Sequence, residues 1–301
     1  MSAASFAETA SPAKINLFLE VAGRRPDGFH DLDSVFLEIG LADRLRAELD
    51  EPGRFSLICD YPGVPVGDEN MVIRAARLLR REVGGASTPG LRFSLEKAIP
   101  PGSGLGGGSS NAAAALRLAN RLWRTGLSRA GLESLGGRLG SDVPFFFRGG
   151  LCLCRGRGEL ITPLAGLALP AGLRICLLLS NIHSSTAAAF RDVRLPEPGR
   201  ARRSEDFVRA LANGDAGAAA AAVFNRFDAS VCGAKPGLLA LRERLARELE
   251  HGPWLSGSGS CLWFFGLAGE MAERLAADPE WLDLVKRHGA KLVDAGTARA
   301  G

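Results

Sequence analysis

The chain has 301 residues, more than one hydrophobic core usually organises and enough for two. Apolar residues make up 46% and charged residues 23%, and 37 basic side chains stand against 33 acidic ones for a net charge of +4, which excludes disordered and collagen-like chains. The best basic cluster (Arg200, Arg202, Arg203) is too short for a nucleic-acid stripe, and no apolar run reaches the roughly 18 residues of a membrane span, so neither nucleic acid nor membrane is an expected partner.

Residues 1–10 lack the basic start and apolar stretch of a secretion signal, which makes the cytoplasm the expected compartment. Residues 14–21 alternate as a strand does, and the turn Arg25-Pro26-Asp27-Gly28 leads to Phe29-His30 and an apolar stretch at 35–41. Segments 44–49 and 54–59 are expected to pair as a hairpin around Pro52-Gly53. Helical spacing covers 69–83, with Asp68 as the expected N-cap, and strict alternation follows over 91–97. After the glycine-rich segment an Ala/Leu helix runs from about 109 to Trp123, and Ser128 opens another that ends at Gly140.

Residues 145–155 read as a strand broken at Gly149-Gly150, and the Gly/Pro/Ala-rich stretch 161–172 as a domain junction. The second half offers a strand at 174–180, helices at 185–192, 205–223 and 236–249, and a polar linker at 194–204. A Gly/Ser loop at 256–260 enters a strand at 261–266, and a last helix covers 268–277. Strands and helices mix without regular alternation, which predicts an α+β protein. Six cysteines (Cys59, Cys152, Cys154, Cys176, Cys232, Cys261) form no Cys-x-x-Cys pair and sit in apolar surroundings, as free thiols of a reducing compartment do. The spacing of Cys152 and Cys154 is open to a metal pair, yet no histidine cluster accompanies it.

The most informative stretch is Pro100-Pro101-Gly102-Ser103-Gly104-Leu105-Gly106-Gly107-Gly108-Ser109-Ser110, followed by Asn111 and a run of alanines. So many glycines are costly in backbone entropy, and they free the backbone to aim successive N–H groups at one centre. A helix starting at Ser109-Ser110 would add its unpaired N–H groups and dipole, and together these make a cradle for polyphosphate. The formal G-x-G-x-x-G match at Gly102, Gly104 and Gly107 lacks the directly preceding strand end and the later acid of a dinucleotide fold. A Walker-A loop would end in Gly-Lys-Ser/Thr, which is absent. Asp142, in Gly140-Ser141-Asp142-Val143-Pro144, is either a general base facing a cleft or a turn-capping carboxylate. Lys14, the one charge in an apolar alternating stretch, either snorkels outward or meets negative charge.

The loop resembles the nucleotide motif of the galactokinase, homoserine kinase, mevalonate kinase and phosphomevalonate kinase (GHMP) superfamily, P-x-x-x-G-L-G-S/G-S-S before an Ala-rich helix. The fuller resemblance is to the branch that phosphorylates a cytidine diphosphate-linked methylerythritol in the non-mevalonate isoprenoid pathway. Its marks are Ser11-Pro12-Ala13-Lys14-Ile15-Asn16-Leu17-Phe18-Leu19, Arg25-Pro26-Asp27-Gly28-Phe29-His30, the segment 140–145 and Ser256-Gly257-Ser258-Gly259-Ser260-Cys261. This resemblance implies a domain like ribosomal protein S5 domain 2 over 1–163, a ferredoxin-like domain over 164–301, and an active site in the cleft between them. It implies ATP as co-substrate with Mg²⁺, phosphates held by Pro100 through Ser110, and an adenine pocket lined by Asn70 and Lys97. It further implies Asp142 as base, Lys14 as its partner on the acceptor hydroxyl, and Ser110 as a contact of the metal. Asn16 and His30 would hydrogen-bond the cytidine end, and Phe29 and Phe190 would sandwich the cytosine. Two positions depart from the pattern: Phe29 stands where Tyr is common, and Ser103 where Gly or Ala is usual. A monomer or homodimer is expected, and residues 290–301 match nothing and read as a tail.

Overall fold

The computed structural model describes residues 5–85, 88–170, 173–197 and 199–296. Its first elements are strands β1 (Phe6–Arg24), β2 (His30–Asp50) and β3 (Phe55–Cys59), helix α1 (Met71–Glu82), strand β4 (Gly90–Glu96) and helices α2 (Gly107–Trp123), α3 (Arg129–Leu139) and α4 (Phe145–Arg148). Strands β5 (Leu151–Gly156), β6 (Leu160–Pro163) and β7 (Ile175–Leu179) precede helices α5 (Thr186–Asp192), α6 (Ser204–Ala212) and α7 (Ala216–Ala222). The remainder is β8 (Phe224–Asn225), α8 (Asp228–Gly233), α9 (Pro236–Ala246), β9 (Trp254–Leu255), β10 (Leu262–Phe265), α10 (Ala268–Leu275), α11 (Pro279–His288) and β11 (Lys291–Asp294). The fold is α+β, as the mixed pattern predicts.

Packing divides the chain into two compact units, and the first comprises Met1–Ala13, Leu41–Pro101 and Gly106–Gly149. Here β4 pairs antiparallel with the Arg44–Asp50 end of β2 and parallel with β3, so the expected hairpin of 44–49 with 54–59 does not form. Parallel neighbours need a crossover, and α1 supplies it between β3 and β4. Helix α1 can do so because one face carries Val72, Ile73, Ala75, Ala76 and Leu79, all buried. Each fully buried Val, Ile or Leu contributes about 1.5–3 kcal/mol. The alanines 112–115 of α2 are buried as well, and their short side chains let α1 and α2 approach closely.

Two boundaries in this unit differ from the sequence reading. Asn70, not Asp68, caps α1, its side chain accepting from the Val72 N–H at 2.9 Å. The apolar run at 145–148 is a single helical turn rather than strand, so Asp142 lies between two helices, α3 and α4. Gly149 at φ 67° and Gly150 at φ 65° then turn the chain before β5 begins.

The second unit comprises Lys14–Gly40, Gly102–Leu105 and Gly150–Gly301. Strand β5 joins Leu32–Leu37 of β2 to β6, and β8 lies parallel to β1 at Phe18 and Leu19. A separate antiparallel sheet runs β11-β7-β10-β9. Leu178, Leu262 and Phe264 from that sheet, Phe227, Leu241, Leu245 and Leu275 from helices and their flanks, and Val21 from β1 form one buried core. The helix expected over 205–223 is two, because Gly214 takes φ 67° and Asp215 caps a fresh start on the Ala218 N–H.

The expected tail at 290–301 is structured as far as 296, and 297–301 lie outside the described residues. Helix α11 leads into β11, whose Lys291–Asp294 pair antiparallel with Leu179–Cys176 of β7. Ala290 and Ala295 are buried, and the Ala295 carbonyl accepts from the Gly40 N–H at 2.9 Å. A chain ending at Gly289 should therefore lose several kcal/mol of unfolding free energy in a urea titration. An unchanged midpoint would mean that β11 contributes nothing.

Candidate active site

Helix α2 starts from a glycine, and this makes it unlike the helices around it. Gly106 takes the left-handed conformation (φ 72°) and no side chain caps the 17-residue helix, whereas Asn70 and Ser128 cap α1 and α3. The first intrahelical bond runs from the Ser110 N–H to the Gly106 carbonyl at 2.9 Å. The N–H groups of Gly107, Gly108 and Ser109 precede it, at the positive end of the helix dipole, where an anion is favoured.

The preceding residues are held in the second unit. Gly104 has φ +77°, and a Cβ there would meet the Ser256 carbonyl oxygen at 2.0 Å, so only glycine fits. The Ser256 hydroxyl donates to the Gly104 carbonyl at 3.0 Å, the Cys261 N–H to that of Ser103 at 2.9 Å, and the Lys14 N–H to that of Leu105 at 3.0 Å. Ser103, the departure from the family pattern, is thus accommodated with its carbonyl bonded and its side chain buried.

Within the first unit the start of α2 is tied to a buried carboxylate that sequence reasoning missed. Asp43, on β2, accepts from the Ala98 and Ile99 N–H groups at 2.8 Å, from Lys97 Nζ at 2.5 Å and from Asn111 Nδ2 at 2.9 Å. Asn111 Nδ2 also donates to Ser11 Oγ at 2.9 Å, and Ser11 Oγ donates to Ser110 Oγ at 2.8 Å. Lys97 and Asp43 are a desolvated pair, their side chains 5% and 0% exposed, and removing one partner of such a pair costs about 3–5 kcal/mol. Asn70 Nδ2 donates to the Pro65 carbonyl at 2.6 Å besides its capping bond. Asp142 is half-buried in the turn before α4. No residue type at position 43 marks it in advance, because its partners lie 54 or more residues away in sequence.

Within the second unit Lys14 is 3% exposed, its Nζ donating to Asn16 Oδ1 at 2.7 Å and lying 4.6 Å above the Phe36 ring centroid. Asn16 Nδ2 donates to Ser34 Oγ at 3.0 Å, and Ser34 donates to the Phe18 carbonyl at 2.5 Å, which fixes the Asn16 amide with its oxygen toward the lysine. Lys14 and Asn16 share a face of β1 because they are two residues apart. Loop 256–260 is buried and held from beneath: Asn225 Nδ2 donates to the Leu255 and Gly257 carbonyls at 2.7 and 2.8 Å. Asp228 accepts from the Leu255 N–H at 3.0 Å, and burial pushes its carboxyl up to about 6 against the opposing pull of Arg242.

His30 stacks on Phe190, with ring centroids 5.0 Å apart and planes 30° from parallel, and Phe190 meets the edge of Phe227 at 4.9 Å. Phe29 is half exposed and lies 4.7 Å from the guanidinium of Arg157. The ring on Phe190 is therefore that of His30, while the face of Phe29 meets a cation. Burial, with Arg24 nearby, lowers the His30 pKa, so its imidazole stays neutral further into the acid range than a free histidine.

Among the described residues no group of three or more His, Cys, Asp or Glu gathers as a cation cage. Ser110 is fully buried, and its hydroxyl oxygen accepts from Ser11 Oγ at 2.8 Å. Magnesium typically stays with the phosphates of its substrate, and it is treated below as part of the nucleotide. Among the described helices none is long and apolar enough to cross a membrane.

A glycine-initiated helix with a closely packed loop before it, on this α+β fold, is an arrangement suited to binding phosphate. The family model for the N-terminal domain of GHMP kinases matches residues 70–150. A protein of Pelotomaculum thermopropionicum named 4-diphosphocytidyl-2-C-methyl-D-erythritol kinase is 39% identical over 267 residues, 88% of this chain and 91% of its own. Its namesake from Gloeobacter violaceus is 37% identical over 293 residues, 96% of this chain and 93% of its own. A crystal structure of 4-(cytidine 5'-diphospho)-2C-methyl-D-erythritol kinase superposes with a TM-score of 0.72 at 32% identity, covering 97% of this chain and all of that one. The chain belongs to the 4-diphosphocytidyl-2-C-methyl-D-erythritol kinase family.

The His30 environment gives a pH expectation with a definite sign. The unfolded chain protonates its imidazole near the ordinary value of about 6.5, before the folded protein does. This histidine therefore reduces stability as pH falls below about 6.5, and has no effect above it. An NMR titration of the His30 ring protons should give a midpoint below 6.5, and a midpoint above that value would contradict the burial described.

Proposed function

We propose that the chain transfers the γ-phosphoryl group of ATP to the 2-hydroxyl of 4-diphosphocytidyl-2-C-methyl-D-erythritol, giving the 2-phosphate and ADP in the methylerythritol phosphate route to isoprenoid precursors. The observation that carries this reading is the uncapped, glycine-started N-terminus of α2. The names and coverage of the relatives support the choice of acceptor.

The segment from Pro100 to Ser110 holds the triphosphate, which arrives as its magnesium complex, through the backbone N–H groups of its non-proline residues, which need no rearrangement during transfer. Asn70 and Lys97 line the adenine side. Asn16 and His30 hydrogen-bond the cytidine end, and Phe29 and Phe190 flank the base. The neutral state of His30 suits this role, since a neutral imidazole both donates and accepts. Asp142 takes the proton from the acceptor hydroxyl as its oxygen attacks the γ-phosphorus and ADP departs. Lys14 steadies the developing negative charge on that oxygen. Desolvation strengthens the pull of its ammonium relative to water, and the Asn16 carbonyl keeps the buried cation solvated between turnovers. Catalysis of this kind is mostly positioning and electrostatics.

The division into a domain over 1–163 and another over 164–301 belongs to the same reading, and the family match at 70–150 falls inside the first. Six free thiols, five of them buried, support a reducing cytoplasmic setting.

ADP release should follow addition of MgATP with the cytidine compound, and not with mevalonate or homoserine. Asp142→Asn should lower turnover by about 10²–10⁴ while leaving the melting temperature near that of the parent. Release with a simpler alcohol alone would overturn the acceptor, and near-parent turnover in the variant would remove Asp142 from the role of base.

A further inference from the structure

Position 183 carries a histidine that none of these assignments uses. It is exposed, yet both of its neighbours are fixed: Ser184 is buried and donates to the Ser258 carbonyl at 2.7 Å, and the Ile182 carbonyl accepts from the Ser260 hydroxyl. Thr186 at the start of α5 is also bonded to Ser258, hydroxyl to hydroxyl at 2.9 Å. Segment 182–186 is thereby stitched to loop 256–260, which holds Gly104 through Ser256 and is followed directly by Cys261, whose N–H holds Ser103.

The imidazole between those anchors lies directly on Gly102. A Cβ built on Gly102 would meet His183 Nε2 at 2.5 Å and Cδ2 at 2.6 Å, so the Nε2 edge of the ring takes the space a side chain at 102 would need. Gly102 is itself in the left-handed region, at φ +66°. Among the described residues no protein group hydrogen-bonds either ring nitrogen. A side chain with donor capacity, held from both sides against a phosphate-binding backbone, with no protein group engaging that capacity, is what an anion contact requires.

We infer that His183 is a further phosphate-contacting residue, whose Nε2 edge donates to the polyphosphate of the nucleotide beside Gly102. The inference rests on the reading of residues 100–110 as a nucleotide cradle, and adds to it a side chain to a set otherwise made of backbone. The alternative is that the ring only fills space over Gly102.

Calorimetry with the full-length protein separates the two, using magnesium-bound AMPPNP and, in parallel, AMP, which lacks the outer phosphates. His183→Ala should weaken AMPPNP binding roughly tenfold or more, the effect of losing one hydrogen bond to a charged group, and leave AMP within about twofold. His183→Gln, which can bring an amide nitrogen near the place of Nε2, should recover much of that loss. Because the residue is exposed, the melting temperature should not move. Equal AMPPNP affinity in all three proteins, or an equal loss for AMP and AMPPNP, would overturn the inference and leave the cradle intact. Failure of the parent protein to bind AMPPNP at all would overturn the cradle, and this contact with it.

Discussion

The Ser256 carbonyl oxygen stands 2.0 Å from where a side chain at position 104 would begin, and this contact governs the path of the backbone leading to α2. With Gly104 so close, the Ser256 hydroxyl reaches the Gly104 carbonyl and the Cys261 N–H reaches that of Ser103. Backbone carbonyls are then occupied before the helix begins, while the N–H groups of its first turn have no side-chain cap. A glycine-rich segment is costly to order, since each glycine loses more conformational freedom than any other residue. Groups from distant parts of the sequence, the Ser256 hydroxyl and the Cys261 and Lys14 N–H groups, offset that cost by holding the loop through specific bonds.

Buried charge is handled the same way throughout. Asp43 accepts four hydrogen bonds, one of them from Lys97, so protein groups take the place of water around its carboxylate. Glu20, fully buried, accepts from Arg226 and from the backbone N–H groups of Val21 and Arg202. Lys14 meets the oriented amide of Asn16 and the face of Phe36. A charge taken out of water is tolerable only when its bonds are supplied by groups already fixed in place. The role proposed for Lys14 draws on the same fixing, since rearrangement during phosphoryl transfer would raise the barrier.

Local signals in the sequence carry much of this fold, and non-local ones account for the rest. The alternation of 91–97 and the Ser128 cap are set by neighbours a few residues away, and they match β4 and α3. The pairing of β4 between β2 and β3 depends on α1 crossing over, which no turn residue at Pro52-Gly53 could announce. Residues 290–296 looked featureless because Lys291–Asp294 is a short strand whose pairing partner, β7, lies more than 100 residues earlier. In the site, the glycine loop and the strand carrying Lys14 were legible from composition and period. Asp43 and Asn225 were not, because each acts through partners brought to it only by the folded chain. The contact of His30 with Phe190 was hidden for the same reason, since ring stacking leaves no mark on spacing.

The measurement closest to the centre of this account is nucleotide binding by Gly104→Ala, with circular dichroism and thermal unfolding to confirm that the variant folds. One added methyl group cannot coexist with the Ser256 carbonyl, so the loop must shift by the order of an ångström just before α2. Such a misplacement should weaken binding of magnesium-bound AMPPNP by about two orders of magnitude in a folded protein. Parent-like affinity in the folded variant would contradict the account, because the phosphates would then be held without the loop geometry described.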